Sequence, residues 1–414
     1  MVQMSAVAFA QLPQTTVVPQ IPSAPQTTVA PQTPSTPQTT GGPLGLFPAD
    51  LAWDLPLNNL LQATPVFKND RGYFPIEENR IAAYDVRNGT LLWIAPGQPQ
   101  FEPTLGDDLL FEIEPDAIVA LHEDTGVEAW RHELEEPLAA PLAYQNGWLV
   151  AAAQAGGILA LRASDGVSIW RQELGALIHT SPTIADDRLY VPMTDGRIIA
   201  MRLENGEPLW ERRLGGAPNA ITATADLVYA GSTDDYFYAV RVRDGVIAWR
   251  WSTGGDVIGR AIVDSRLVYF VSFDNVLRAL DKNTGNQRWK RPLQLRPTRG
   301  LIVMGQTVIA SGISPSATVF AMKDGAPLGS IAGPGELAAA PHVVTGDGLP
   351  LVLLVSRDLQ KGTIVRAVTR AIEPAVLPMK PLPNPTPPPV APASTTDDDQ
   401  PADIDRATVD GVMP

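Results

Sequence analysis

Residues able to carry out acid–base, nucleophilic or metal chemistry are sparse in this chain of 414 residues. No metal-ligand spacing such as H-x-x-x-H connects the four histidines, His122, His132, His179 and His342. The absence of cysteine excludes a thiolate metal site, a cysteine nucleophile and a lipid-modified cysteine within this chain. The pairs Gly215-Gly216 and Gly254-Gly255 precede no helical pattern, so a phosphate-binding loop is not expected. We therefore expect no catalytic residue and no metal site.

Charged loop residues are the remaining candidates for binding. Arg296 and Arg299 flank Pro297 in one loop, and Arg260 opens a short strand one repeat earlier; these three arginines are candidate anchors for a partner peptide. Acidic residues also gather in loops on one predicted face. They form either a solvated rim or, as the functional alternative, a face for a basic partner or a weak cation site: Glu77, Glu78, Glu112, Glu114, Asp116, Asp195, Asp234, Asp235, Asp256 and Asp274.

Composition divides the chain into three parts. Residues 1–49 carry no Asp, Glu, Lys or Arg and repeat PQTT-type units of 12 residues, which predicts a disordered spacer. Residues 374–414 are Pro-rich and then acidic, which predicts a second disordered tail. The folded part is therefore expected at 50–373. The net charge of −14 argues against binding to nucleic acid or to an anionic membrane.

The first ten residues leave two interpretations of targeting open. Ala8-Phe9-Ala10 fits a signal-cleavage pattern, but no Lys or Arg precedes it and the apolar run is short. The segment is either an unstructured start or the remnant of a secretory signal. No run in the chain reaches the ~18–20 apolar residues of a membrane-spanning helix.

A repeat of about 40 residues organises the folded part. Glycine followed four residues later by tryptophan recurs in six copies, Gly89/Trp93, Gly126/Trp130, Gly166/Trp170, Gly206/Trp210, Gly245/Trp249 and Gly285/Trp289. Trp53 begins another unit, and a seventh copy has Gly325 followed by Gly329 where tryptophan is expected. Each period contains four short β-type runs separated by polar turns, which is the unit of a β-propeller blade.

Proline identifies the innermost strand of each blade, because that strand has one edge without a partner. Eight such runs are predicted, at 64–67, 102–105, 140–143, 181–184, 219–223, 259–263, 298–303 and 339–344. The eighth unit lacks its outermost strand. The strand around Trp53 closes the ring in the simplest solution, and Ile372–Leu377 is the alternative. The predicted fold is thus an all-β, eight-bladed propeller of four-stranded antiparallel blades.

The pattern Ala-x-Asp-x-x-x-Gly-x-x-x-Trp resembles the docking motif of the PQQ-like (quinoprotein-type) β-propeller family. The resemblance covers roughly 50–370. It assigns blade-docking roles to Trp53, Ala83, Asp85, Gly89, Trp93, Ala120, Gly126, Trp130, Ala160, Gly166, Trp170, Ala200, Gly206, Trp210, Ala239, Gly245, Trp249, Ala279, Asp281, Gly285 and Trp289. Four copies replace the aspartate, with His122, Arg162, Arg202 and Arg241. The copy at Ala321 lacks the tryptophan, so we expect a looser contact there.

The resemblance implies function as well as fold. Quinoprotein dehydrogenases of this type carry long insertions, a calcium site and a vicinal cysteine pair; none of their cofactor residues has a match here, so we expect no cofactor and no enzyme activity. An uninterrupted ring of this length is more similar to non-enzymatic scaffolds of the periplasm or cell envelope that contact a subunit of the outer-membrane barrel-assembly machinery. A monomeric ring is expected. The alternative is an exported or cell-surface propeller that serves as a sensor or adhesion module.

Overall fold

Short apolar runs alternate with polar turns throughout the repeat region, and each run forms a short β-strand. The computed structural model describes residues 45–344, 349–358 and 362–371, and these contain strands and turns but no helix. The strands form eight antiparallel blades, which confirms the predicted propeller. Most of the predicted tails, 1–44 and 374–414, and the alternative strand Ile372–Leu377 lie outside the described residues.

The first six blades along the chain are regular and have four strands each. In order from the innermost to the outermost strand, blade one consists of β2 Val66–Lys68, β3 Arg71–Ile76, β4 Arg80–Asp85 and β5 Thr90–Pro96, and blade two of β6 Thr104–Gly106, β7 Leu109–Ile113, β8 Ala117–His122 and β9 Glu128–Glu133. In the same order, blade three consists of β10 Ala143–Gln145, β11 Trp148–Ala152, β12 Gly157–Arg162 and β13 Ser168–Glu173, and blade four of β14 Thr183–Ala185, β15 Arg188–Pro192, β16 Arg197–Arg202 and β17 Pro208–Arg213. Blade five consists of β18 Pro218–Ala223, β19 Leu227–Ser232, β20 Tyr236–Arg241 and β21 Ile247–Ser252, and blade six of β22 Val257–Val263, β23 Leu267–Ser272, β24 Val276–Asp281 and β25 Gln287–Pro292.

The last two blades depart from this pattern. Blade seven consists of β27 Ile302–Met304, β28 Thr307–Ala310, β30 Ser316–Ala321 and β31 Pro327–Ala332, with a separate pair formed by β26 Arg296–Pro297 and β29 Gly312–Ile313; blade eight consists of β33 His342–Val344, β34 Leu351–Asp358, β35 Gly362–Arg370 and β1 Ala49–Pro56, with β32 Glu336–Leu337 also on β34.

The N-terminal strand closes the ring. Strand β1 pairs antiparallel with β35, from Ala49 opposite Arg370 to Pro56 opposite Ile364. The closure is reinforced by a bidentate ion pair in which the Arg366 guanidinium donates to both carboxylate oxygens of Asp54, at 2.6 and 2.7 Å. The predicted closure by the Trp53 strand is therefore confirmed. Because the eighth blade joins the two ends of the described chain, it leaves no missing strand in the ring.

Six of the eight innermost strands are shorter than predicted, and β18 and β22 are longer. Most contain three residues, and the prolines expected to open them precede them instead: Pro65 precedes β2, Pro103 precedes β6 and Pro182 precedes β14. A proline has no N–H to donate to the neighbouring strand, so ladder pairing begins only after it. The residues that immediately precede these strands therefore line the channel without pairing in a sheet.

Seven tryptophans on the outermost strands link neighbouring blades. Each indole N–H donates to a backbone carbonyl of the next blade at 2.7–3.1 Å, in the pairs Trp53–Arg87, Trp93–Glu123, Trp130–Ala163, Trp170–Leu203, Trp210–Val242, Trp249–Lys282 and Trp289–Met322. A large apolar ring with one satisfied polar group suits a partly buried interface between wedge-shaped blades.

The small residues of the motif allow this close approach. Each motif alanine lies opposite the tryptophan of its own blade, in the pairs Ala83–Trp93, Ala120–Trp130, Ala160–Trp170, Ala200–Trp210, Ala239–Trp249 and Ala279–Trp289. Six motif glycines contact the tryptophan of the preceding blade, where a Cβ would lie only 2.5–2.8 Å from the ring: Gly126, Gly166, Gly206, Gly245, Gly285 and Gly325. Gly89 faces Leu55 instead of Trp53. The stretch 279–289 therefore contacts the blades on both sides.

The aspartates of the motif organise its turn. Asp281 accepts hydrogen bonds from the backbone N–H groups of Asn283 and Thr284, at 3.2 and 3.1 Å. The hydrogen bond from Arg288 is the main reason that the pKa of Asp281 falls to about 2. Where Arg162 replaces the aspartate, Asp165 three residues later pairs with it at 2.8 Å and accepts the N–H of Val167. In this copy the carboxylate that organises the turn therefore comes from a later residue of the same turn.

In blade seven, which lacks the motif tryptophan, another aromatic residue occupies the corresponding place. Val319, rather than Ala321, lies opposite Gly329, so the interval from this position to Gly325 is six residues, as in the other copies. A Cβ on Gly329 would lie 2.6 Å from the ring of Phe47, which belongs to the N-terminal segment. The preceding Leu46 is only 2% exposed and packs in the core between blades seven and eight. The N-terminal segment fills the gap, which the sequence pattern of blade seven alone did not reveal.

Candidate functional site

The inner strands surround a channel that places functional groups from distant repeats side by side. The register of the strands identifies one equivalent residue in each blade. In each innermost strand, one residue pairs with the residue of the second strand that lies opposite the motif alanine (or its equivalent) on the third strand, and the equivalent residue stands two positions before it in the chain. We call these eight residues the channel ring: Thr64, Glu102, Pro141, Ser181, Ala220, Arg260, Gly300 and Ala340. All except Ala220 line a cavity of about 780 Å³.

Two charged residues of the channel ring oppose each other. Glu102 belongs to blade two and Arg260 to blade six, four blades apart in a ring of eight, so the two residues lie on opposite sides of the channel, and both line the cavity. Burial by the channel walls raises the pKa of Glu102, with Arg299 and then Arg260 acting in the opposite direction. Burial likewise lowers the pKa of Arg260 against the effect of Glu102. Both side chains remain exposed within the channel.

Arg299 lies beside the channel ring and is held in place. Its guanidinium donates to the carbonyl of Ala338 at 2.7 Å and to the hydroxyl of Thr64 at 3.5 Å. The backbone of Gly300, the next residue, touches the backbone of Gly259 and so brings Arg299 and Arg260 to the same side of the channel. Of the three arginines singled out from the sequence, these two are brought together.

His342 and Phe67 form an aromatic wall of the same cavity. Their rings stack with centroids 4.5 Å apart and planes 13° apart. Burial lowers the pKa of His342 to about 4, so the imidazole is neutral at physiological pH. His342 therefore adds a flat, uncharged surface to the channel, and Glu102 contributes a carboxylate to the lining of the same cavity.

Arg296 lies apart from the channel, on the loop face. We define the loop face as the side that carries the connections between the second and third strands and those between successive blades. The Arg296 guanidinium lies 5.4 Å from the centre of the Phe273 ring, an arrangement that favours a cation–π contact. Phe273 is 45% exposed, and Ile313, on the strand paired with Arg296, is 55% exposed. Exposed aromatic, aliphatic and arginine groups together are typical of protein interfaces.

The acidic rim is less uniform than the sequence indicated. Four of its members are ion-paired on the loop face, as Glu78–Arg80, Glu114–Arg131, Asp195–Arg197 and Asp274–Arg278. The placement of Glu112 in a loop is wrong: it lies in β7 and is 1% exposed. Its position among apolar neighbours in the second strand of a blade explains the burial, since side chains of that strand point between blades. The rim therefore carries less free negative charge than expected.

Metal-binding side chains do not converge in the described residues. No group of three or more His, Asp or Glu side chains that could hold an ion is found among them. The expectation of no metal site stays a prediction. Nor does any helix suited to crossing a membrane occur in the part of the chain that the structure describes.

Comparison with known proteins gives a consistent relationship. The family model described as "Outer membrane protein assembly factor BamB" matches residues 115–225 and 214–336, which together exceed half of the chain. A curated BamB from Yersinia pestis is 30% identical over 69 residues, which is 17% of this chain and 18% of that protein. The matched segment thus spans less than a fifth of that relative.

Solved structures agree on the fold. The crystal structure of BamB from Moraxella catarrhalis has a TM-score of 0.62 at 16% identity and covers 78% of this chain and 99% of that one. The quinohemoprotein alcohol dehydrogenase of Comamonas testosteroni has a TM-score of 0.63 at 14% identity, over 79% of this chain and 77% of that one. At these identities the likeness concerns the fold alone.

Proposed function

The chain belongs to the family of the outer membrane protein assembly factor BamB, and from this premise we propose that it is a non-enzymatic scaffold of the cell envelope that assists the assembly of outer-membrane β-barrel proteins. The observation that carries the proposal is the family match, which spans residues 115–336. An uninterrupted ring with short connections supports it, because such a ring presents rigid faces to protein partners.

The loop face is the proposed partner surface. It carries Phe273 beneath Arg296, with Ile313 exposed on the neighbouring strand pair. An arginine stacked on an aromatic ring is already ordered, so less side-chain entropy is lost when a partner binds. We assign Arg296 to this contact. Arg260 and Arg299 face the channel and are not part of it.

Co-purification tests the scaffold and the face together. The full chain is tagged and isolated from envelope extracts, and barrel-assembly subunits are expected to accompany it. The double variant Phe273→Ser/Ile313→Ser should lose most of these partners and keep its thermal midpoint, because both side chains are exposed. Val167→Ser is the matched control, since Val167 is 50% exposed at a turn on the opposite face. A chain that is isolated alone would contradict the proposal.

Absence of enzyme activity is part of the same proposal. The chain has no cysteine, and the described residues offer no set of metal-binding side chains suited to a calcium–quinone centre. Purified protein supplied with pyrroloquinoline quinone, calcium, an alcohol and an electron acceptor should therefore show no turnover. Sustained dye reduction that depends on all the components would refute this part.

A further inference from the structure

The channel contains an opposed pair of charges that are not neutralised by direct contact. Within the described residues, Arg260 forms no hydrogen bond or ion pair, and Glu102 has none either, although each acts on the pKa of the other. An arginine remains charged at any physiological pH. Both side chains are exposed to the channel, so each charge is accessible to a counter-charge placed between them and is stabilised by it.

The walls between these charges are mostly apolar. The cavity is lined by side chains such as Val66, Leu105, Leu142 and Leu301, together with the Phe67–His342 stack. Its volume of about 780 Å³ lies within the range of ~300–1,000 Å³ typical of small-molecule pockets. A molecule that fits must therefore present an apolar middle to the walls and polar groups to the two poles.

The balance of charge favours the arginine pole. The backbone of Arg299 lies beside that of Arg260, and its guanidinium reaches the Ala338 carbonyl and the Thr64 hydroxyl, in blades eight and one, between the two poles. With His342 neutral, the group carries two positive charges and one negative charge in a chain whose net charge is −14. A carboxylate is thus attracted to the arginines, whereas a simple anion leaves Glu102 unsatisfied and a simple cation meets two like charges.

We propose that the channel binds a small zwitterion of the amino-acid class, with its carboxylate on Arg260, its ammonium group on Glu102 and an aliphatic body between them. This inference rests on the channel alone and goes beyond the proposed scaffold function, so either can fail without the other. We assign the channel a binding role.

The test uses the full chain and a series of ω-amino acids: glycine, 4-aminobutanoate, 6-aminohexanoate and 8-aminooctanoate. Binding is measured by isothermal titration calorimetry. Affinity should peak at the length that spans the two poles, and this compound should bind about tenfold or more tightly than the carboxylic acid or the amine of the same chain length, because each pole adds a charge-assisted hydrogen bond. Equal affinity for the zwitterion and the plain acid in wild-type protein would overturn the proposal.

Variants of the two poles should respond with opposite signs. Arg260→Gln should weaken binding of the zwitterion by about tenfold or more, since a hydrogen bond to a charged group is lost. Glu102→Gln should weaken the zwitterion but tighten the plain acid, because the repulsive carboxylate is gone. Arg243→Gln, at an exposed arginine outside both the channel and the loop face, is the matched control and should leave both affinities unchanged. If Glu102→Gln weakens both ligands alike, or Arg260→Gln binds as wild type does, the assignment is wrong.

Discussion

At the scale of single residues, Glu112 is an acidic side chain buried inside a strand. Both of its carboxylate oxygens are buried and have no hydrogen-bond partner among the described residues. A Cβ on Gly97 would lie 2.7 Å from each of them, so backbone from the preceding connection packs directly on the carboxyl group. Burial, and then the negative charge of Glu114, raise the pKa of Glu112 to about 8. Below this pH the group is protonated and neutral.

The raised pKa of Glu112 makes stability depend on pH. Between the ordinary carboxyl pKa of 4.5 and about 8, the folded state binds a proton that the unfolded state does not, so the free energy of unfolding falls as pH rises through this window and levels off above it. Glu112→Gln should remove this slope and raise the thermal midpoint at pH 9, as measured by calorimetry from pH 5 to 9. The exposed Glu133→Gln is the control, and an unchanged slope in E112Q would contradict the burial argument.

At the scale of elements, the interfaces between blades hold the ring together. Eight apolar clusters are found in the described residues, and each lies between two neighbouring blades. At six of them the repeat supplies a tryptophan over a glycine. Between blades seven and eight this arrangement cannot form, because blade eight has no turn joining its last two strands; one comes from each end of the described chain. Phe47 and Leu46 occupy the place of that turn.

Replacing the inserted phenylalanine should therefore cost as much as replacing a repeat tryptophan. Phe47→Ala and Trp210→Ala are each expected to lower the free energy of unfolding by ~3–5 kcal/mol, the usual loss for a large aromatic group in a core. Urea unfolding followed by circular dichroism measures the loss. Phe273→Ala, at an exposed ring, is the control and should change stability by less than ~0.5 kcal/mol. A Phe47→Ala variant as stable as this control would show that the segment does not support the ring.

The sequence predicts some of these elements well and others not at all. The tryptophan motif can be recognised in the sequence because the same contact between blades recurs along the repeat. The sequence does not reveal two replacements. Val319 takes the place of the motif alanine and differs from it in residue type, and Phe47 takes the place of the tryptophan but lies 282 residues from Gly329 in the chain. Glu102 and Arg260 could have been found by comparing equivalent positions of the repeat. To predict that they lie on opposite sides of the channel, one must also know that the ring is closed and has eight blades.

At the scale of the whole molecule, stability depends on joining the ends of the propeller. Asp50 lies opposite Thr369 in the closing strand pair. Because the chain has no cysteine, a variant Asp50→Cys/Thr369→Cys can form one disulfide only. Oxidation should raise the thermal midpoint relative to the reduced form of the same protein, since a loop of more than 300 residues is closed, with a gain of up to about 5 kcal/mol. Oxidised and reduced forms that melt together would mean that the ring does not open at this blade when it unfolds.

Closure by β1 also fixes the order of events during synthesis. Of the described strands this one is made first, whereas its hydrogen-bonding partner β35 is made last. For most of its synthesis the chain therefore carries an unpaired strand with an exposed backbone edge, of the kind that associates readily with other chains. Until β35 is complete the nascent protein is an open arc, and any factor that shields its first strand during this interval determines how much of it matures into a ring.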